Sequence, residues 1–193
     1  MLSKKPLPAQ KGVTLIEMMI AIAIVALLLG VAMPSYSMWI QNLQVRNASE
    51  SILNGLQLAR NEAVGRNAQV SFQMTSATGI ADWTVGCVTP ACPATIQNHR
   101  GTEGSTNARI GVGSTATALA TAIAGGSGTP ATITFTGLGR LTAAPAAGGN
   151  WRIDVTNPTL AGTRRLVIIV SPGGQTRMCD PAFALAANPQ GCA

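Results

Sequence analysis

The side chains that could do acid–base, nucleophilic or metal chemistry are few in this sequence. It holds one histidine, His99, four cysteines and seven carboxylates among 193 residues. General acid–base catalysis and metal binding both need several such groups close together. His99, which is followed by Arg100, is typical of a solvated loop, and the sequence shows no GxSxG, P-loop or cysteine–histidine signature. Residues 111–116 imitate a dinucleotide-binding fingerprint, but they lie in a low-complexity stretch and are predicted to form a turn. The sequence therefore predicts a protein that is not an enzyme and binds no cofactor.

The cysteines fall into two close pairs, Cys87 with Cys92 and Cys179 with Cys192. Pairs at this spacing predict two local disulfides in an oxidising compartment. A cysteine-rich zinc site is the alternative, although the spacing fits no common ligand pattern and the single histidine stands alone. The longer bridge is expected to stabilise the fold by about 3 kcal/mol in the chain-entropy model.

Composition separates the chain into a membrane-like part and a small domain. Only 10% of its residues are charged and 47% are hydrophobic, whereas about a quarter of an ordinary soluble domain is charged. Three of the cations behind the net charge of +6 are lysines near the amino terminus, at positions 4, 5 and 11. The chain has no long basic run of the kind that binds nucleic acid.

Residues 13–33 form an apolar run with a single charge, Glu17. As a helix this run would be about 30 Å long, which is enough to cross a bilayer. The lysines before it predict a cytoplasmic amino end and an exported remainder. A secretory signal cleaved after Ala32 is the alternative, but the run is longer than a typical signal core. A carboxylate in such a segment costs on the order of 2–3 kcal/mol, so Glu17 needs a specific role.

The residues around the start of this run, Lys11-Gly12-Val13-Thr14-Leu15-Ile16-Glu17, resemble the type IV prepilin signature. That signature is a short basic leader ending in glycine, followed by an apolar helix whose fifth residue is glutamate. The resemblance implies that a prepilin peptidase cleaves between Gly12 and Val13 and methylates the new terminus, although the family commonly has Phe or Met where Val13 stands. It also implies that Glu17 pairs with the terminal amine of a neighbouring subunit in a filament. The alternative is that Glu17 reaches to the lipid headgroups.

The remaining sequence predicts the elements that carry these residues. Pro34 is expected to kink the helix, and apolar residues at three- and four-residue steps predict that it resumes as an amphipathic helix to about residue 66. An alternating pattern then predicts short strands, at residues 70–74, 83–85, 131–135, 151–155 and 165–170. Residues 101–130 and 142–150, rich in Gly, Ser, Thr and Ala, are expected to form long surface loops.

These elements predict an α+β fold, in which a long amino-terminal helix packs on an antiparallel sheet. The predicted organisation is a leader at residues 1–12, a transmembrane helix at 13–33, an amphipathic continuation at 34–67 and a β-rich head at 68–193.

Three further segments resemble the GspH/FimT family of pilin-like proteins. They are Leu56-x-x-Ala59-Arg60-x-Glu62-Ala63-x-x-Arg66, residues 135–140 and residues 171–177. The resemblance implies a minor pilin of a type IV pilus or the H pseudopilin of a type II secretion system. Such a protein is anchored in the bacterial inner membrane with its head in the periplasm, and then assembles with other pilin subunits.

A DNA-uptake pilin is an alternative function. Some FimT-like proteins bind DNA through a Gly-Arg-x-Arg stretch, and residues 174–177 here keep only one of its two arginines. Arg164, Arg165 and Arg177 are the candidate contacts if they converge on one exposed face. A solvated strand face would explain the same three arginines.

Overall fold

The computed structural model describes residues 12–90 and 92–192, which form one long helix followed by eight short strands. The elements are α1 (Leu15–Arg66), β1 (Val70–Met74), β2 (Trp83–Cys87), β3 (Gln97–His99), β4 (Arg109–Ser114), β5 (Ala131–Phe135), β6 (Trp151–Thr156), β7 (Leu166–Val170) and β8 (Thr176–Cys179). The residues up to Ser37 form one compact unit, and those from Met38 onward form a second. The predicted leader lies outside the described residues, apart from Gly12.

Residues that cap both ends of α1 explain its limits. At the start, the backbone N–H of Glu17 donates to Oγ1 of Thr14 over 3.3 Å, and a threonine followed three residues later by glutamate is a common helix-capping pair. At the end, Asn67 takes a left-handed conformation with φ of 47°. The N–H of Ala68 then donates back to the carbonyl of Ala63 over 3.1 Å, a bond that closes many helices.

In the first unit, the apolar side chains of α1 are exposed along its described length, with Leu15 79% and Leu27 74% exposed. Among the described residues, no single helix is both long and apolar enough to cross a membrane. The bent pair Leu15–Gly30 and Ser35–Arg66 meets that criterion by length and composition. The break between them includes Pro34, where the missing backbone N–H predicts a kink.

The second unit contains two antiparallel sheets of four strands, with the orders β3-β2-β1-β5 and β4-β6-β7-β8. In the first sheet Phe72 lies opposite Val85 and Ile133. The part of α1 that belongs to this unit buries a stripe at three- and four-residue steps, namely Val45, Ala48, Ile52, Leu56, Ala59 and Ala63. This stripe and both sheets share one hydrophobic core. The predicted packing of a helix on antiparallel strands is confirmed, with two sheets where one was expected.

All five predicted strands form, but residues 109–114 were wrongly expected to be part of a loop. They form β4, which pairs with β6 so that Val112 lies opposite Ile153. The turn expected at residues 111–116 is therefore wrong for residues 111–114, and only residues 115 and 116 form a turn. Gly111 is needed in this strand because a Cβ there would lie 2.7 Å from the carbonyl oxygen of Ile123, in the segment that covers it.

The expectation of a solvated His99 in a loop is also wrong. His99 lies in β3 and is partly buried. Its ring stacks on Trp83 with centroids 5.5 Å apart, and the indole Nε1–H of Trp83 donates to Oγ of Ser51 over 3.0 Å. The histidine therefore extends the aromatic packing at the edge of the first sheet.

Candidate functional site

The residues of the predicted cleavage and assembly motif lie at the beginning of α1. Gly12 and Val13 precede the helix in irregular, exposed backbone, and Val13 is 66% exposed. Among the described residues, an added Cβ at Gly12 would meet no atom within 4 Å. The described residues therefore leave the peptide bond between Gly12 and Val13 exposed.

Glu17 lies in the first turn of the helix, where a carboxylate interacts favourably with the helix dipole. Its neighbours are apolar and exposed, with Ile16 67%, Met18 53% and Met19 63% exposed. An exposed apolar surface of this extent marks contact with a membrane or with another protein. Once such a surface is covered, the carboxylate has to be paired with a cation or neutralised.

Both predicted disulfides form. Cys87 at the end of β2 is bonded to Cys92, with their Cα atoms 5.8 Å apart, and Cys179 at the end of β8 is bonded to Cys192, with Cα atoms 5.0 Å apart. The second bridge is reinforced by the N–H of Asp180, which donates to the carbonyl of Gln190 over 2.7 Å. The carboxyl-terminal segment is thereby fixed to the second sheet.

A buried charge cluster lies on the outer face of that sheet. Arg152 and Asp154 are both 0% exposed. They lie two residues apart on β6, so both side chains lie on the same face of the sheet. The guanidinium binds the carboxylate with two bonds, Nε to Oδ1 at 2.7 Å and Nη2 to Oδ2 at 2.8 Å. It also donates to the carbonyls of Thr117 and Ala118 over 3.1 and 3.0 Å.

Arg165 completes this cluster. Its Nη1 donates to Oδ2 of Asp154 over 2.7 Å and its Nη2 donates to the carbonyl of Leu119 over 2.5 Å. The backbone N–H of Ile123 donates to the same Oδ2 over 2.9 Å. Two arginines and one aspartate therefore hold residues 117–123 over the sheet. Arg152 and Asp154 are closed to solvent and the side chain of Arg165 is 16% exposed, which suits the cluster to a structural role.

The other two candidate arginines are also bonded within the second unit. Arg164, whose side chain is 48% exposed, pairs with Asp180 and lies over the ring of Phe183 at 5.4 Å. Arg177 donates to the carbonyl of Gly191. Each of the three predicted arginines is therefore bonded within the second unit, and none presents a guanidinium group free of internal partners. Two of them, Arg165 and Arg177, hold covering segments in place.

Sequence reasoning missed the buried pair of Arg152 and Asp154, although a signal was present. Residues two apart on a strand share a face, and the strand at 151–155 was predicted.

Within the described part of the chain, no group of three or more His, Cys, Asp or Glu side chains could hold a metal ion.

Comparisons with known proteins agree with this architecture. The family model described as type II transport protein GspH matches residues 48–174, and the model of the prokaryotic N-terminal methylation motif matches residues 7–33. No curated protein sequence matches the chain at a significant level.

Two solved structures share the fold. The type IV minor pilin FimU of Pseudomonas aeruginosa is 17% identical with a TM-score of 0.51, and the match covers 72% of this chain and 91% of that one. The minor pseudopilin EpsH from the type 2 secretion system of Vibrio cholerae is 12% identical with a TM-score of 0.50, and the match covers 72% of this chain and 99% of that one. At these identities the similarity shows the fold alone.

The family match extends over more than half of the chain, from the buried half of α1 to the turn before β8. The methylation motif implies processing by a prepilin peptidase and anchoring in the inner membrane before assembly with other pilins. The chain belongs to the GspH family and is a structural, non-enzymatic subunit, a minor pilin or pseudopilin of a type IV pilus or of type II secretion.

Proposed function

We propose that a prepilin peptidase cleaves this chain between Gly12 and Val13 and methylates the amine of Val13. The mature protein then spans the bacterial inner membrane once through residues 13–33, followed by the amphipathic part of the helix at 34–67 and a periplasmic head at 68–193. The lysines at positions 4, 5 and 11 support this orientation, because positive charge favours the cytoplasmic side.

The observation that carries the proposal is the position of Glu17. It is an exposed carboxylate in an apolar first turn, four residues after the proposed new terminus. In a filament core without water, an unpaired carboxylate would cost several kcal/mol. The amine of Val13 on a neighbouring subunit is the cation that the cleavage itself creates. Glu17 therefore couples processing to assembly with other pilin subunits.

The filament is either a type IV pilus or the pseudopilus of a type II secretion system. Deletion of the gene separates the two, because the first predicts loss of surface pili and the second predicts loss of secreted proteins from the medium. DNA binding is not part of this proposal, since Arg165 and Arg177 are both bonded within the head.

The assembly step is tested by Glu17→Gln, with Glu50→Gln as the matched control. Glu50 forms an exposed ion pair with Arg46 on the same helix. We expect Glu17→Gln to be processed and retained in the membrane but reduced at least tenfold in filaments sheared from the native host. Glu50→Gln should be incorporated like the wild type. Wild-type incorporation of Glu17→Gln would contradict the proposed pairing.

A further inference from the structure

The end of the second unit where α1 terminates exposes three large apolar side chains. They are Val64, Val88 and Leu138, which are 51%, 54% and 81% exposed. Val70, the first residue of β1, lies opposite both Cys87 and Phe135. The loops that follow β2 and β5 therefore emerge at this same end. We call these three residues and their surroundings the Leu138 surface.

The turn that carries Leu138 is rigidly held. The N–H of Gly139 donates to the carbonyl of Thr136 over 2.8 Å. A Cβ at Gly137 would lie 2.5 Å from Oδ1 of Asn67, so the turn packs directly on the end of α1. Nε of Arg60 also donates to the carbonyl of Gly139 over 3.2 Å. A leucine presented on a fixed turn loses little conformational entropy on binding, so its burial favours association.

The charges around the Leu138 surface are positive. Arg60 contacts the turn, and Arg140 at its end is exposed and forms no ion pair with any described residue. Arg66, at the end of α1, is paired with Glu62. A partner that buries Leu138 must therefore also accommodate the guanidinium groups of Arg60 and Arg140, which form no ion pair with any described residue.

A second copy of this chain has few carboxylates to offer. The carboxylates of the second unit that are engaged in ion pairs are Glu50, Glu62, Asp154 and Asp180. Asp82 accepts a bond from the N–H of Gly101 over 2.7 Å. Glu103 is left as the one exposed carboxylate without an ion pair among the described residues of this unit. Charge complementarity therefore favours a different, more acidic partner.

We propose that the Leu138 surface docks a different subunit of the same filament, one that surrounds an apolar contact with carboxylates. Leu138 fills the apolar contact, and Arg60 and Arg140 face the carboxylates. Complementary charge of this kind selects partners and suppresses self-association. The inference rests on the proposed function, because it requires the chain to be in the filament.

The first test compares Arg140→Glu with Arg100→Glu, an exposed arginine on another loop, in filaments sheared from the native host. We expect Arg140→Glu to lower the amount of this subunit in filaments about tenfold, as expected for losing contacts at a single site. Leu138→Asp should do the same, while Arg100→Glu should leave incorporation unchanged. Thermal unfolding of each purified variant should match the wild type, since none of these side chains is buried.

The second test places a photo-crosslinking amino acid at position 138 in assembled filaments and identifies the adducts by mass spectrometry. An adduct to a different filament subunit, within reach of its Asp or Glu residues, supports the proposal. An adduct only to a second copy of this chain overturns it, and so does the absence of any adduct while the protein is in the filament. Failure of the proposed function is distinct, because the wild-type chain would then be missing from filaments altogether.

Discussion

Replacing Asp154 with asparagine should strongly destabilise the second unit. The carboxylate is 0% exposed and it is shared by Arg152, also 0% exposed, and by Arg165, whose side chain is 16% exposed. Three donors meet at its Oδ2, from these two guanidinium groups and from the N–H of Ile123. An asparagine has one carbonyl oxygen, so its NH₂ group must face at least one of the donors that the carboxylate accepted.

The magnitude follows from the charges left behind. The substitution leaves the fully buried guanidinium group of Arg152 and the partly exposed one of Arg165 with no counter-ion. Breaking a buried ion pair from one side costs about 3–5 kcal/mol. Total stabilities of domains are about 5–15 kcal/mol, so the loss is a large part of the whole.

Urea unfolding of the detergent-solubilised chain, followed by tryptophan fluorescence and by circular dichroism, measures this effect. Trp83 and Trp151 report on the first and second sheets respectively. Glu50→Gln is the control, because the pair of Arg46 and Glu50 is 65% and 44% exposed and such pairs contribute about 0.5 kcal/mol or less. A free energy of unfolding for Asp154→Asn within about 0.5 kcal/mol of the wild type would refute this reasoning.

Four further substitutions, one of them a control, test the other structural assignments. Cys179→Ser should lower the free energy of unfolding by about 3 kcal/mol, because it removes a disulfide that spans a sequence separation of 13. A loss below about 1 kcal/mol in urea titrations without reductant would contradict a stabilising role for this disulfide. Gly137→Ala should cost about 1–3 kcal/mol in the same titration, because its Cβ would press on the backbone at the end of α1. Gly65→Ala is the control, because the added Cβ meets open space beside the helix, and it should raise the free energy of unfolding by up to about 1 kcal/mol. Equal changes in the free energy of unfolding for Gly137→Ala and Gly65→Ala would contradict the packing of Gly137 on Asn67. Arg177→Ala should speed hydrogen exchange in residues 180–191 while leaving the first sheet unchanged, and unchanged exchange there would contradict its anchoring role.

The parts of the fold that the sequence predicted are those with a strong apolar period. The predicted stripe on α1 repeats at three- and four-residue steps and is buried from Ala48 to Ala63, whereas Tyr36 and Trp39 at its start are 64% and 55% exposed. Each of the five predicted strands alternates apolar and polar residues or is continuously apolar. Thr14 and Glu17 lie in the segment that resembles the prepilin signature, and the same two residues cap the start of α1.

The missed strands lack these signals. In β4 the apolar Ile110 and Val112 are separated by Gly111, and a glycine at such a position is typical of a turn. The reason for the glycine is the segment at Ile123, which lies too close to the strand to leave room for a Cβ. The strand β3 has three polar residues, and β8 has four residues of mixed character. Their pairing depends on the neighbouring strands, which a local pattern does not contain.

The buried cluster was missed for a related reason. Arginine and aspartate are usually exposed, so Arg152 and Asp154 are expected to face solvent on a predicted edge or surface strand. Only the path of residues 117–123 over the sheet makes that face an interior one. The same covering segment binds Arg165, whose Nη2 donates to the carbonyl of Leu119.

The central claim, that this chain is a processed subunit of a filament, is tested most directly by its intact mass and amino-terminal residue after recovery from the native membrane. The account predicts a chain that starts at methylated Val13 and gains four hydrogens on reduction, two for each disulfide. A chain that starts near Met33 would lack Glu17 and would contradict the account.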